Sequence, residues 1–381
     1  MSLPRYPIKV LLTGATGFIG GTALNSLLGR EDYKRGLVEI TCLVRGEDRG
    51  SAIRDQLGVK VLVADLAEVD VIEAAAENAD VVLDTAHADF PKGCHAILAG
   101  LKARYARTGR KSVFIHTSGT GALTDNAQGK FASEKIYEDI DCADIRAIPK
   151  TYVHRKTDEL ISEASVEGYI RGYVVMPPLV YGRGTGPFSR TSVQIPALIR
   201  AALKLGQSIH VGPGRSMWNG VHVQDLVDLF LLLIDDALTG KPQAPTGLEC
   251  FYFCATDTYS WNQLASTIGQ QLHAKGKIST PEARPLQPDE EQEVLGEWSG
   301  FAYGSNSRSK TGKAYDLGWK PKHHTTGLFE SIDEEYEAVL EEGEDEAPKV
   351  HIDEMNRALG APNSEDLLRL DSMLNVQLVS T

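Results

Sequence analysis

The chain has 381 residues, of which 42% are hydrophobic and 24% charged, and a formal net charge of −13 at pH 7. That length suits two lobes better than one small core. The acidic balance argues against a nucleic-acid partner, and the longest apolar run, Leu229 to Ile234, is far too short to span a bilayer. No charged segment followed by an apolar core opens the sequence, so a cytoplasmic protein with no membrane partner is expected. The five cysteines, Cys42, Cys94, Cys142, Cys250 and Cys254, are scattered in apolar sequence and suggest core positions, with neither a disulfide framework nor a metal site. Nine acids between Asp333 and Glu346 carry most of the charge imbalance, which places the acidity in a tail and leaves the body nearly neutral.

The first predicted strand, Lys9 to Leu12, runs into Gly14, Gly17 and Gly20 and then into a helix through Thr22–Leu28. Gly14 permits a sharp turn after the strand, Gly17 leaves room for a pyrophosphate to approach the backbone, and Gly20 lets helix and sheet lie close. The helix start offers unpaired N–H groups and the positive end of its dipole to a phosphate. Thr13–Gly20 resembles the T-G-x-x-G-x-x-G nucleotide loop of the extended branch of the short-chain dehydrogenase/reductase superfamily, which holds epimerases, dehydratases and reductases. The resemblance implies a Rossmann fold with cofactor contacts at Gly14, Thr16, Gly17, Phe18 and Ile19.

A second strand over Leu37–Val44 ends at Arg45, with Arg49 nearby. An acid there would bind the ribose 2′-OH of NAD, whereas an Arg accommodates the 2′-phosphate of NADP, so NADP is the expected cofactor and NAD the alternative. The third strand, Val59–Ala64, ends at Asp65-Leu66, a position that in the resembling family lies beside adenine. The fourth, Ala79–Asp84, ends at Thr85-Ala86-His87-Ala88, small residues that let a cofactor cross the strand ends, with His87 expected as loop or pocket wall rather than a base. The fifth, Ser112–His116, leads into Thr117-Ser118-Gly119-Thr120-Gly121. Strands alternating with helical patterns indicate a doubly wound parallel sheet, with ligands at the carboxyl ends of its strands. That places Ser118 where chemistry would occur.

Tyr152 and Lys156 are spaced to share one helix face if the helix opens at Tyr152, although Pro149 is close by. Tyr137, the rival, meets Asp141 four residues on. The expected triad has Tyr152 as general acid/base, Lys156 as the cation that lowers its pKa and holds the nicotinamide ribose, and Ser118 as the hydroxyl that orients a substrate carbonyl. Tyr181 is the reserve proton donor.

Arg171–Gly182 is the sixth strand and its exit. It resembles the R-P-x-x-V-Y-G segment with which extended-branch enzymes wall the nicotinamide, with Met176 in place of the usual Arg; the resemblance places Pro177 and Val180 at the cofactor. Trp218–Leu226 resembles the V-H-V-x-D segment at the lobe junction, where His222 and Asp225 are expected to be structural, Asp225 near the cap of the following helix. Asp316–Pro321 resembles the closing L-G-W-x-P. The expected architecture is α/β, a Rossmann domain over 1–182 and 218–256 with a smaller interleaved substrate lobe over 183–217 and 257–330. An acidic linker and helical tail follow over 331–381, with a helix capped at Asn363–Asp366 that is expected to pack on the chain's own body, the alternative being a partner-binding or dimerising helix. The expected function is NADP-dependent carbonyl or hydroxyl redox on a small, largely uncharged molecule. The alternatives are a nucleotide-sugar epimerase or dehydratase and a non-catalytic NADP-binding redox sensor. Sugar-nucleotide enzymes carry a diphosphate-gripping Arg four residues before the position of His222; Trp218 stands there and argues against the epimerase, while a helix displaced at Tyr152 would favour the sensor.

Overall fold

Side-chain alternation along the strands builds two apolar layers. In β1 (Ile8–Thr13), Val10 and Leu12 face one side and Leu11 the other; the same split recurs in the strands beside it. The computed structural model describes residues 7–296, 299–323 and 327–343. Its central sheet takes β1, β2 (Val38–Val44), β3 (Lys60–Val63), β4 (Val81–Asp84), β5 (Ser112–Thr117) and β6 (Ile170–Met176). After β7 (Leu179–Tyr181) and β8 (Met217–His222), β9 (Phe251–Phe253) completes it. The seven strands run parallel in the order β9-β6-β5-β4-β1-β2-β3. The order reverses beside β1, which puts the ligand crevice at the carboxyl ends of β1 and β4.

The connecting helices in this half are α1 (Phe18–Gly29), α2 (Glu47–Leu57), α3 (Val69–Glu77), α4 (Pro91–Thr108) and α5 (Arg155–Glu167). Further on come α6 (Gln194–Leu205), α7 (Val223–Ala237), α8 (Trp261–Ala274) and α9 (Ile332–Glu342). One face of the sheet is covered by α1 and α7, whose Ala23, Leu24, Leu226 and Phe230 join Val10, Leu83 and Ile115 in one core. The opposite face is covered by α3, α4 and α5, through Ile72, Ile97, Leu101 and Ile161. The five cysteines are free and buried, as expected of core residues.

A third core lies in the second lobe, where α6, α8 and α9 enclose Trp218, Trp261, Tyr259 and Leu328. Its sheet pairs β8 with β7 in parallel and with β10 (Asp257–Ser260) antiparallel, so β7 and β8 belong to this second sheet while α7, directly after β8, returns to the first core. Residues 314–319 also return to it through Ala314 and Trp319. The acidic stretch is not all tail. Its first part is α9, and Glu335 on that helix is buried, accepting from the Gly182 N–H (3.0 Å) and the Ser192 hydroxyl (2.8 Å). Burial pushes its carboxyl up to about 8. The helix expected after Asn363 lies outside the described residues.

Candidate cofactor and catalytic site

The glycine turn has the shape its sequence requires. Gly14 sits at φ +75, and a Cβ there would lie 2.6 Å from the carbonyl oxygen of Thr85 at the end of β4. A Cβ on Gly20 would lie 2.2 Å from the Gly14 carbonyl oxygen, so α1 presses directly on the turn. Gly17, by contrast, is the N-cap of α1 and a Cβ there would meet only the Gly14 oxygen, at 3.3 Å. No side chain caps the helix, which leaves its first-turn N–H groups for a ligand phosphate. Residues 184–189 fold across this start: Ser189 N–H meets the Thr16 carbonyl at 3.4 Å, Thr185 N–H meets Thr22 Oγ1 at 3.2 Å, and Gly184 packs on the Phe18 ring. Ile19 is half-buried against the first core. These residues therefore form a cradle that fits a dinucleotide pyrophosphate.

Arg45 follows β2 directly and is exposed, with Gly46 at φ +81 opening α2. Asp65 accepts from the Ala67 N–H at 2.8 Å and Leu66 packs on the second core, so the β3 exit is an ordered turn. Thr85 ties β4 to β1, its hydroxyl donating to the Thr13 carbonyl at 2.7 Å. Ala86 is exposed beside it, and His87 shapes the next turn by accepting the Asp89 N–H at 3.0 Å on Nδ1. Pro177 is buried, with its carbonyl receiving the Thr120 N–H at 2.9 Å, and Val180 packs on the first core.

The expected Tyr–Lys face does not form. Tyr152 lies in the turn that follows Pro149, its N–H bonded to the Pro149 carbonyl at 3.0 Å, and α5 begins only at Arg155. The residue between, His154, holds φ +69, which no helical residue adopts. It is fixed there by Asp89 from the β4 loop, whose two carboxylate oxygens take the His154 backbone N–H at 2.6 Å and Nδ1 at 2.8 Å. Tyr152 packs half-buried on the second core, and burial alone raises its hydroxyl pKa. Lys156 is exposed and lines an open groove with Val69, Glu73, Pro91, Lys92 and His95 of α3 and α4. It sits on the outer layer of helices, so the shared helix face expected for these two residues is corrected. The reserve donor, Tyr181, is fully buried, bonded to Asp257 at 2.9 Å, and held well above the ordinary tyrosine range by burial and that carboxylate.

The β4, β5 and α5 ends carry instead a buried charged cluster. His116 Nδ1 meets Asp84 Oδ2 at 2.8 Å, and Thr13 donates to the other Asp84 oxygen. Burial pushes the Asp84 carboxyl up and His116 more than reverses it, leaving it below the usual range; burial lowers His116, and Asp84 with the more distant Asp158 raises it overall. Arg155 and Asp158, both fully buried, pair at 3.1 Å, with the Arg155 guanidinium 5.1 Å from the centre of the Phe251 ring. Ser118 Oγ, Thr117 Oγ1, His116 Nε2 and Asp158 Oδ1 are buried without a formed hydrogen bond, although the Ser118 hydroxyl is close enough to favour the Asp158 carboxylate. Such a concentration of orphaned polar atoms at one set of strand ends marks a site for ligand or water. Ser118 is thus where the sequence places it. Asp84, Asp89, His116, His154 and Asp158 were missed; the signal was present in Gly119 and Gly121, whose missing side chains make room for the His154 ring.

Two residues at the lobe junction have clear structural places. Trp218 is 4% exposed and packs edge-on against Trp261, so the place of a diphosphate-gripping Arg is filled by the second-lobe core. Asp225 is structural and lies in the first turn of α7, as expected: His222 Nδ1 caps the helix by accepting the Gln224 N–H at 3.1 Å, while the buried Asp225 carboxylate holds the N–H groups of Lys322 and His323 at 2.8 and 2.9 Å. No group of metal-ligating side chains occurs among the described residues.

With this geometry the chain matches two family profiles, one described as NAD(P)H-binding over residues 14–162 and one as the NAD dependent epimerase/dehydratase family over residues 104–244. It belongs to the extended short-chain dehydrogenase/reductase superfamily of NAD(P)-dependent oxidoreductases and epimerases. Among its relatives is the oxidase ucsJ of an Acremonium species, 30% identical over 330 residues that cover 82% of this chain and 92% of the relative. Solved structures of the same fold include the PbgP3 protein of Burkholderia pseudomallei (TM-score 0.61, 16% identity, 88% of this chain and 98% of that one). Vestitone reductase from alfalfa is another (TM-score 0.55, 19% identity, 88% and 99%).

Proposed function

We infer that the protein is an NADP-dependent oxidoreductase that interconverts a carbonyl and a hydroxyl group on a small, largely uncharged organic molecule. The observation that carries this reading is the pairing of the glycine cradle with Arg45 at the β2 exit, where an acid that would repel a 2′-phosphate is absent. Gly14, Thr16, Gly17, Phe18 and Ile19 would hold the pyrophosphate, Arg45 the 2′-phosphate, Asp65 and Leu66 the adenine side, and Thr85, Ala86, His87, Pro177 and Val180 the path towards the nicotinamide. When bound, the reduced cofactor supplies a hydride. Ser118, buried with an unused hydroxyl, donates to a substrate oxygen and polarises it. Against a sugar nucleotide, the position of the diphosphate-gripping Arg holds Trp218, whose ring is committed to the core.

The sensor reading keeps one observation in its favour, the turn that displaces Tyr152 and leaves Lys156 exposed. Turnover separates the two. NADPH consumption by the full chain with a panel of ketones, aldehydes and enones supports the oxidoreductase; tight NADPH binding with no consumption across the panel supports the sensor.

A further inference from the structure

We propose that the Asp89–His154 pair is the general acid/base of this site, in the role expected of Tyr152. The proposal rests on the oxidoreductase reading above and names its proton donor.

Three observations meet at His154. Its backbone is held at φ +69, a conformation rare outside glycine and sustained here by Asp89, which bonds both the main-chain N–H and the ring. Only Gln128 shares a positive φ among the described residues other than glycine. Second, the ring is seated on the turn after β5. A Cβ on Gly119 would lie 2.9 Å from His154 Nε2, and one on Gly121 3.2 Å, so the S-G-T-G turn that carries Ser118 is cut away for the imidazole. Third, the Asp89 and His154 side chains are 12% and 17% exposed, shielded enough for a strong pair yet open to a ligand.

The pair has the chemistry of a proton donor. The Asp89 carboxylate on Nδ1 selects the tautomer with the proton there, leaving Nε2 to accept or release one. Burial pushes the Asp89 carboxyl up, but His154 and then His87 outweigh it and hold it below the usual range. The charged and titratable groups facing this pair include His87 from the β4 loop, Asp158 and its partner Arg155 from α5, and His116 of β5. The turn from Gly119 to Gly121 adds none.

In the reductive direction, His154 gives its Nε2 proton to the substrate carbonyl oxygen as that oxygen takes the π pair of the C=O bond. The carbonyl carbon receives the hydride supplied by a reduced nicotinamide. The carbonyl is reduced by two electrons to the alcohol, the nicotinamide is oxidised, and the neutral imidazole regains its proton from water.

The test uses the full chain, without cofactor and with NADPH. Imidazole ¹⁵N NMR of the parent, with the His154 signal assigned by its loss in His154→Asn, is expected to show a proton fixed on Nδ1 and, in Asp89→Asn, a mixture of the two neutral tautomers. Asn is chosen because it tolerates positive φ. A His154 signal with Nδ1 bare, or a tautomer unchanged in Asp89→Asn, overturns the pair. Turnover is read with NADPH and two carbonyl probes, 9,10-phenanthrenequinone and 4-nitrobenzaldehyde. His154→Asn is expected to lose ~10²-fold in kcat with NADPH affinity unchanged, the scale of a lost general acid, while Tyr152→Phe stays near the parent. The reverse pattern, His154→Asn at the parent rate and Tyr152→Phe disabled, overturns the proposal. A parent that binds NADPH and reduces neither probe overturns the oxidoreductase reading and the catalytic role of the pair with it, whereas the NMR result alone judges the pairing.

Discussion

The β1–α1 turn and the β5–α5 connection both border β4, yet they are specified in different ways. The first is local: seven residues from Gly14 to Gly20 define it, and Gly14 and Gly20 are each required by a contact within the turn or with the adjoining strand end. The second is assembled from afar. Asp89 reaches His154 across 65 positions of sequence, and the turn of Gly119 and Gly121 supplies the seat. A motif reading succeeds where backbone geometry does the binding and fails where a side chain from another strand decides the conformation.

Breaking the local region should have the largest effect. Gly14→Ala places a methyl 2.6 Å from the Thr85 carbonyl oxygen in a left-handed backbone conformation. The cost is expected to be roughly 2–5 kcal/mol of stability together with loss of cofactor binding, measured by denaturant unfolding and NADPH titration. Arg45→Ala sharpens the same region without disturbing the fold. It should weaken NADPH by about 1.5–3 kcal/mol and leave NADH nearly unchanged, because only NADPH offers the phosphate. Equal losses in paired titrations would remove Arg45 from this role.

A third variant probes the joint between the lobes. The Glu335 carboxyl titrates near 8 in the fold, above its ordinary 4.5, so the native chain holds a proton there that the unfolded chain has released. Stability from this group is complete below the lower value and is lost as pH rises through the upper one. Thermal melts at about pH 6 and about pH 9 should therefore show a larger fall for the parent than for Glu335→Gln, which keeps the acceptor for Gly182 and Ser192 but cannot ionise. A parallel fall in both would discount Glu335. The smallest effect is expected at Lys156: with its side chain on the outer groove, Lys156→Ala should change NADPH affinity by less than about 0.5 kcal/mol. A tenfold loss would return Lys156 to the cofactor.

Much of the fold was legible because parallel strands buried on both faces leave continuous apolar runs, as in Val81–Leu83 and Val113–Ile115, and because glycine turns are punctuation that tertiary contacts rarely override. The start of α5 was not legible. Tyr152 and Lys156 have helical spacing, and nothing between them signals that His154 leaves the helix, since its φ is set by a carboxylate from the β4 loop. Trp218 shows a related limit: its position in a motif says which strand it occupies, but the face it presents depends on Trp261 and the second-lobe core. The V-H-V-x-D segment was legible as the start of α7, although its Asp225 carboxylate is taken by the distant Lys322–His323 backbone while His222 does the capping.

The most direct test of the account is hydride transfer itself. The full chain would be incubated with NADPH carrying deuterium at the transferable C4 position and the panel of ketones, aldehydes and enones, and the products examined by mass spectrometry. One deuterium on the former carbonyl carbon of a product, formed at a rate that depends on the enzyme, is the predicted result. NADPH bound tightly and recovered unconsumed, with deuterium in no product, would contradict the central claim that this cradle serves a catalyst.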